Sequence, residues 1–261
     1  MLGVIAGDVI GSRFERAPIK TIDFSLFHPL CSFTDDTVLT VATASAILRR
    51  APFDETYLDF GRRYPRAGYG GNFHKWLAAI DPRPYNSYGN GSAMRVAPVG
   101  WACVDERSVL REAERSASVT HNHPEGVKGA QATAFAVFMA RRGASKDEIR
   151  GGIASRFDYD LNRTTGQIRP TYHFDVTCQG TVPEALIAFF ESTDYESAVR
   201  LAISLGGDSD TLAAITGGVA HAFYRVIPNP IVQEVRGRLP DEFLQVLDEF
   251  EGKFGAARLD S

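Results

Sequence analysis

Apolar residues recur at three- and four-residue spacing through 36–49, 106–118, 125–142, 181–191, 195–205, 210–226 and 240–254. That is the period of helices burying one face. The run Ala130-Gln131-Ala132-Thr133-Ala134-Phe135-Ala136 adds high helix propensity and allows close packing. Stop signals punctuate the pattern at Arg142-Gly143, Gly206-Gly207, Pro228-Asn229-Pro230 and Leu239-Pro240. Strand patterning is thin: the best segment, 167–176, contains Pro170 and reads better as an extended loop. Polar, Gly- and Pro-rich connections at 12–33, 65–73 and 81–92 are longer than a compact fold needs, and such loops are more often functional than not. No internal repeat or low-complexity tract interrupts the chain. The expectation is one all-α domain over 1–261, a compact orthogonal arrangement of many helices around a metal-containing cleft.

Composition changes this picture little. With 44% hydrophobic and 23% charged residues, the chain has the make-up of an ordinary soluble globular protein. A formal charge of −4 gives no global attraction to nucleic acid or anionic membrane, so neither is an expected partner. Cys31, Cys103 and Cys178 are widely spaced, which suggests neither a zinc site nor a disulfide framework, but apolar core thiols in a reducing compartment. The start, Met1-Leu2-Gly3-Val4-Ile5-Ala6-Gly7-Asp8, lacks the basic segment of a secretory signal. No apolar run reaches the roughly 18 residues of a membrane span. A cytoplasmic location is expected; composition sets no oligomeric state.

Two distant clusters carry the chemistry: Thr34-Asp35-Asp36-Thr37 and Asp208-Ser209-Asp210-Thr211, each running straight into an apolar helix. Asp, Ser and Thr are preferred helix N-caps, and a second carboxylate gains from the helix dipole. Capping uses one side chain per helix, however, and leaves the density of acids at both apolar helices unexplained. Carboxylate and hydroxyl oxygens are hard ligands suited to Mg²⁺ or Mn²⁺. Two such clusters together favour a shared metal site, which requires the chain to close on itself.

Four segments stand in order: Gly7-Asp8-Val9-Ile10-Gly11-Ser12-Arg13-Phe14-Glu15, Phe33-Thr34-Asp35-Asp36-Thr37, Gly89-Asn90-Gly91-Ser92-Ala93-Met94-Arg95 and Leu205-Gly206-Gly207-Asp208-Ser209-Asp210-Thr211, with Thr120-His121 between the last two. The set resembles the ADP-ribosylglycohydrolase family from residue 3 to about residue 226. The resemblance implies an all-α domain holding two Mg²⁺ or Mn²⁺ ions in a cleft that binds ADP-ribose. Carried over by position, the metal ligands are Thr34, Asp35, Asp36, Asp208, Asp210 and Thr211. Two dications also balance the charge of several carboxylates that would be costly to bury unpaired.

Glu15, a surface residue beside Arg13 and Arg16 on composition alone, matches a residue that in the family is both a candidate metal ligand and the candidate general base, with Asp36 the next candidate base. Asp8 is expected chiefly to hold the loop by hydrogen bonding. Gly89, Asn90, Gly91 and Ser92 form a glycine-flanked turn opening a helix, where backbone N–H groups can approach a diphosphate or ribose. Tyr88 could stack on adenine or simply pack, and His121 is assigned to the substrate side of the cleft, with His123 structural. The implied activity is hydrolysis of the bond between ADP-ribose and a modified acceptor, releasing ADP-ribose. Arginine on a protein is the expected acceptor, provided Asp81 supplies an acidic pocket for the guanidinium; seryl oxygen, a nucleic-acid end or a free derivative are the alternatives. A non-catalytic binding relative would be marked by lost ligands, and all six positions are filled here.

Overall fold

The computed structural model describes residues 1–255. Fifteen α-helices run through them: α1 Leu2–Gly11, α2 Asp35–Arg49, α3 Phe53–Arg63, α4 Gly71–Ala78, α5 Gly91–Met94, α6 Ala97–Ala102, α7 Glu106–Ser118, α8 Pro124–Arg141, α9 Lys146–Phe157, α10 Thr165–Ile168, α11 Cys178–Glu191, α12 Tyr195–Ile203, α13 Ser209–Tyr224, α14 Asn229–Arg236 and α15 Asp241–Phe250. A single antiparallel bridge between Gly89 and Thr177 is the only β pairing among the described residues. Among the described residues, no helix is long and apolar enough to cross a membrane.

Helix α13 lies at the centre. Every residue from Ser209 to Ala220 is buried, as befits a helix without a charged face. Helices α1, α8, α11 and α12 pack around it. The contact with α1 is very close because that helix carries Gly3, Gly7 and Gly11 on one face, the i, i+4 spacing that lines residues up along a helix. A Cβ on Gly3, Gly7 or Gly11 would fall 2.4, 2.0 or 2.5 Å from the carbonyl oxygen of Gly217, Ala213 or Ser209 respectively. Tyr195 of α12 fastens the same crossing by donating its buried hydroxyl to the Gly3 carbonyl at 2.7 Å. Helix α2 then packs on α1, α3 and α6, and its N-terminal end comes to face that of α13.

All seven helices expected from the periodicity are present, with ends shifted by a few residues. The segment 167–176 opens in the last turn of α10 and is otherwise irregular. The connection at 65–73 is shorter than expected, since α4 begins at Gly71.

Candidate active site

The starts of α2 and α13 are capped differently, and the difference exposes carboxylates. At α2, Thr34 is the N-cap, and its hydroxyl accepts from the Asp36 amide at 3.3 Å. The same hydroxyl donates to Asp8 at 2.7 Å. Asp8 also accepts from the Thr34 amide at 2.9 Å, the Thr37 amide at 3.1 Å and the Thr37 hydroxyl at 2.5 Å. Thus Thr34 and Asp8, from another helix, satisfy the open N–H groups of α2, leaving Asp35 and Asp36 free of capping duty. At α13 the N-cap position belongs to Asp208, yet its carboxylate makes no capping bond. It accepts instead from the Asn90 amide nitrogen at 2.8 Å, which also donates to the Thr181 hydroxyl at 3.2 Å.

The α1–α13 crossing brings Asp8, Asp36 and Asp210 together, with one carboxylate oxygen from each lying within 4.8 Å of the others. Thr211 donates its hydroxyl to Asp36 Oδ2 at 3.3 Å. Asp36 Oδ1 is buried with no hydrogen-bond partner at all. Burial lifts Asp8 to about 6 against the lowering pull of the Thr34 and Thr37 hydrogen bonds, and burial first, then the charge of Asp8, lifts the neighbouring Asp35 to about 8. Asp36 and Asp210 are pushed well above the usual carboxylate range, again by burial first and then by neighbouring carboxylates. A desolvated acid cluster with an unpartnered oxygen is poorly satisfied by protein alone. The donor set is entirely oxygen, and it fits a hard divalent cation.

Asp35, Asp36, Asp210 and Thr211 form one wall of a cleft of about 430 Å³, a size typical of small-molecule sites, with Asp8 buried behind that wall. Glu15, Thr34, Tyr85, Gly89, Arg95 and His121 line the cleft too. Of the residues expected at the site, Glu15, Thr34, Asp35, Asp36, Gly89, Asn90, Gly91, His121, Asp208, Asp210 and Thr211 all line it. Glu15 follows the short 3₁₀ turn Ser12–Phe14 that continues α1. Its carboxyl is raised by partial burial and then by the negative charge of Asp208, against the opposing pull of Arg16. His121 is buried and held neutral, first by burial and then by the positive Arg95.

Two expected residues stand apart. Ser92 is fully buried and donates its hydroxyl to the Gly126 carbonyl at 2.7 Å, tying α5 to α8. Tyr88 is half exposed and packs its ring against His123, at 5.2 Å between centroids. His123 itself caps α8 by accepting from the Glu125 amide. Asp81 is turned to solvent, 71% exposed, and paired with Arg83 at 2.7 Å. The sequence marked 65–73 as a long connection, and several of its residues from Ala67 to Phe73 line the cleft. Arg95 ends the third motif, but the sequence reading assigned it no role, and it overlooked the apolar pair Phe174 and Val176; all three line the cleft.

An all-helical fold that gathers carboxylates from two helix starts into one cleft defines a class of protein suited to hard cations. The chain belongs to the ADP-ribosylglycohydrolase family, whose model matches residues 1–259. It is similar to ADP-ribosylhydrolase ARH3 of Mus musculus, 27% identical over 304 residues, covering 86% of this chain and 82% of that one. It is also similar to ADP-ribosylarginine hydrolase Tri1 of Pseudomonas putida (strain GB-1), 27% identical over 268 residues, covering 88% of this chain and 71% of that one. Among solved structures, an ADP-ribosylglycohydrolase-related protein complex superposes with a TM-score of 0.69 at 26% identity, covering 96% of this chain and 92% of the other.

Proposed function

We propose that this protein is a divalent-cation-dependent hydrolase that splits the bond between the distal ribose C1 of ADP-ribose and a modified acceptor. The observation that carries the reading is the convergence of Asp36 and Asp210, which line the cleft, with the buried Asp8 behind them and with the unpartnered Asp36 Oδ1. Two Mg²⁺ or Mn²⁺ ions would be held by Thr34, Asp35, Asp36, Asp208, Asp210 and Thr211, with Asp8 bracing the first group. Such ions supply orientation of ribose hydroxyls and stabilisation of developing charge.

The chain's own groups do the rest. Glu15, with a carboxyl raised above its ordinary value by partial burial and the charge of Asp208, takes a proton from the attacking water, as a general base must; Asp36 is the alternative base. The water oxygen bonds to C1, the C1–acceptor bond breaks toward the acceptor, and the proton that Glu15 took from the water passes on to the leaving acceptor. The backbone of Gly89, Asn90 and Gly91 and the ring of His121 hold the ADP-ribose part, while Ser92 keeps the turn in place. Tyr88 serves the rim.

The rim bears on the acceptor. An arginine acceptor asks for a carboxylate beside the guanidinium, and Asp81 is engaged with Arg83 in solvent. That supports an O-linked acceptor such as serine on a protein. Arginine is the second reading, supported by the similarity to ADP-ribosylarginine hydrolase Tri1. Serine- and arginine-linked ADP-ribose peptides, offered side by side with Mg²⁺ or Mn²⁺, decide between them through the free ADP-ribose released. Release of inorganic phosphate instead would refute the glycosidic reading, and no turnover of either peptide would refute the activity.

A further inference from the structure

Arg95 has no exposed surface, and its guanidinium carbon lies 4.4 Å from the centroid of the Tyr57 ring. Nη2 donates to the Ser116 carbonyl at 2.8 Å and to the Thr120 hydroxyl at 3.0 Å, whereas Nε and Nη1 have no partner. The aromatic face offsets part of the cost of burying this charge. The platform is itself locked. Thr43 donates to the Leu39 carbonyl, so the Tyr57 hydroxyl donates to Thr43 at 2.9 Å and accepts from Ser116 at 2.7 Å. Helices α2, α3 and α7 therefore fix the guanidinium in place.

A guanidinium only donates. Thr120 Oγ1 must accept from Arg95, and its own proton goes to His121 Nδ1 at 2.7 Å, a closer and better aligned partner than the neighbouring Tyr85 hydroxyl. If Nδ1 carried the ring proton, two donors would converge on one buried hydroxyl, and the threonine proton would have only the more distant Tyr85 hydroxyl to turn to. The hydrogen bonds thus assign Nδ1 as acceptor and put the ring proton on Nε2, the nitrogen left to meet a ligand. That nitrogen borders the glycine turn: a Cβ on Gly91 would lie 3.2 Å from it, and one on Gly89 3.6 Å away.

We infer that Arg95 is a positioning residue which, through Thr120, fixes His121 as an Nε2–H donor aimed at an anionic oxygen of a ligand seated on the Gly89–Gly91 turn. The inference rests on the reading of the cleft as an ADP-ribose site, whose diphosphate supplies that oxygen. A donor of fixed tautomer needs no reorganisation on binding and adds no positive charge to compete with cations for the ligand.

Nitrogen-15 shifts of labelled histidine, with the His121 signal assigned by its loss in His121→Gln, report the tautomer without any substrate. The expected wild-type signature is a protonated Nε2 and an unprotonated Nδ1. Thr120→Val, which keeps shape but loses the hydroxyl, should mix the tautomers and weaken ADP-ribose binding about tenfold, the worth of one hydrogen bond. The same loss should appear in KM rather than kcat, and Thr120→Ser should restore both readouts. Arg95→Met should mimic Thr120→Val where it folds, while the threonine pair tests the relay if it does not. An Nδ1–H signature in the wild type, or Thr120→Val with unchanged tautomer, would overturn the relay. A changed tautomer with unchanged ADP-ribose affinity would overturn the aim at the ligand. Wild-type protein that fails to bind ADP-ribose would overturn both that aim and the proposed function, whereas the tautomer signature judges the relay alone.

Discussion

Gly7 and Ala213 meet backbone to backbone: a Cβ on the glycine would fall 2.0 Å from the alanine carbonyl oxygen. This contact sets the distance between α1 and α13, and therefore between Asp8 and Asp210 in the acidic cluster. The glycine stripe of α1 thus acts on the site although none of its members is a ligand.

Gly7→Ala should accordingly do two things. The added methyl cannot be accommodated by a side-chain rotation, since it meets main chain on the facing helix. Overpacking of this kind costs about 1–3 kcal/mol or more, readable as a lower urea midpoint. Spreading the helices should also weaken Mn²⁺ binding in calorimetry. A variant with wild-type midpoint and wild-type Mn²⁺ affinity would show that the crossing does not set the cluster.

A paired test separates the two halves of the GNGS turn. Ser92→Ala removes a buried donor from the Gly126 carbonyl and should cost about 1–3 kcal/mol of stability, with ADP-ribose affinity little changed. Gly91→Ala sets a methyl 3.2 Å from His121 Nε2, between that nitrogen and the ligand. It should weaken ADP-ribose binding while leaving the urea midpoint close to wild type. The opposite pattern would exchange the roles of the two residues.

What the sequence made legible has a physical basis. Helices such as α2, α7, α8 and α13 announce themselves because long apolar faces repeat over several turns. Helix α9 does not, since only Ile149, Ile153 and Phe157 are buried, a stripe one residue wide. In α3 the buried set is Phe53, Thr56, Tyr57, Phe60 and Gly61, in which polar and small residues blur the period. The two acidic clusters were legible because neighbours in sequence stay neighbours at a helix start. Asp8 was expected to hold a loop, and it does so through Thr34 and Thr37. Its place within 4.8 Å of Asp36 and Asp210 depends on a helix crossing that no local pattern encodes. Arg95 stood in the third motif, but its role was not legible for the same reason: its partners Tyr57, Ser116 and Thr120 come from other parts of the chain. Asp81 does not line the cleft; it is exposed and paired with Arg83, two residues on.

The acidic cluster also predicts how pH acts on stability. Asp8 and Asp35 have folded values of about 6 and about 8, against 3.8 for the unfolded chain, with burial the first cause. Both shifts are upward, so the folded cation-free protein binds more protons than the unfolded chain above pH 3.8. Stability is then greatest at the acid side of that window and falls as pH rises through about 6 and about 8. Mg²⁺ or Mn²⁺ favours the ionised acids and should flatten or reverse the slope. Urea midpoints measured across this range with EDTA, and again with Mg²⁺, give the two curves. A flat EDTA curve would mean that the cluster is already neutralised without a cation.

Glu15→Gln separates proton transfer from binding. Glu15 lines the cleft beside Asp208, whose charge helps to raise its carboxyl. The amide keeps the size and the hydrogen-bonding reach of the side chain but cannot accept a proton from water. An interaction made only in the transition state lowers kcat when removed, whereas one made throughout raises KM. The substitution should therefore cost roughly 10²–10⁴-fold in kcat, the usual worth of a general base. It should leave ADP-ribose affinity near wild type, and the urea midpoint should rise slightly in EDTA because one charge repelling Asp208 is gone. Asp36→Asn, by contrast, removes both a proposed ligand and the partner of the Thr211 hydroxyl, so it should lose Mn²⁺ binding together with turnover. Near-normal kcat in Glu15→Gln would move the base to Asp36, and loss of cation binding in Glu15→Gln would make Glu15 a ligand rather than a base.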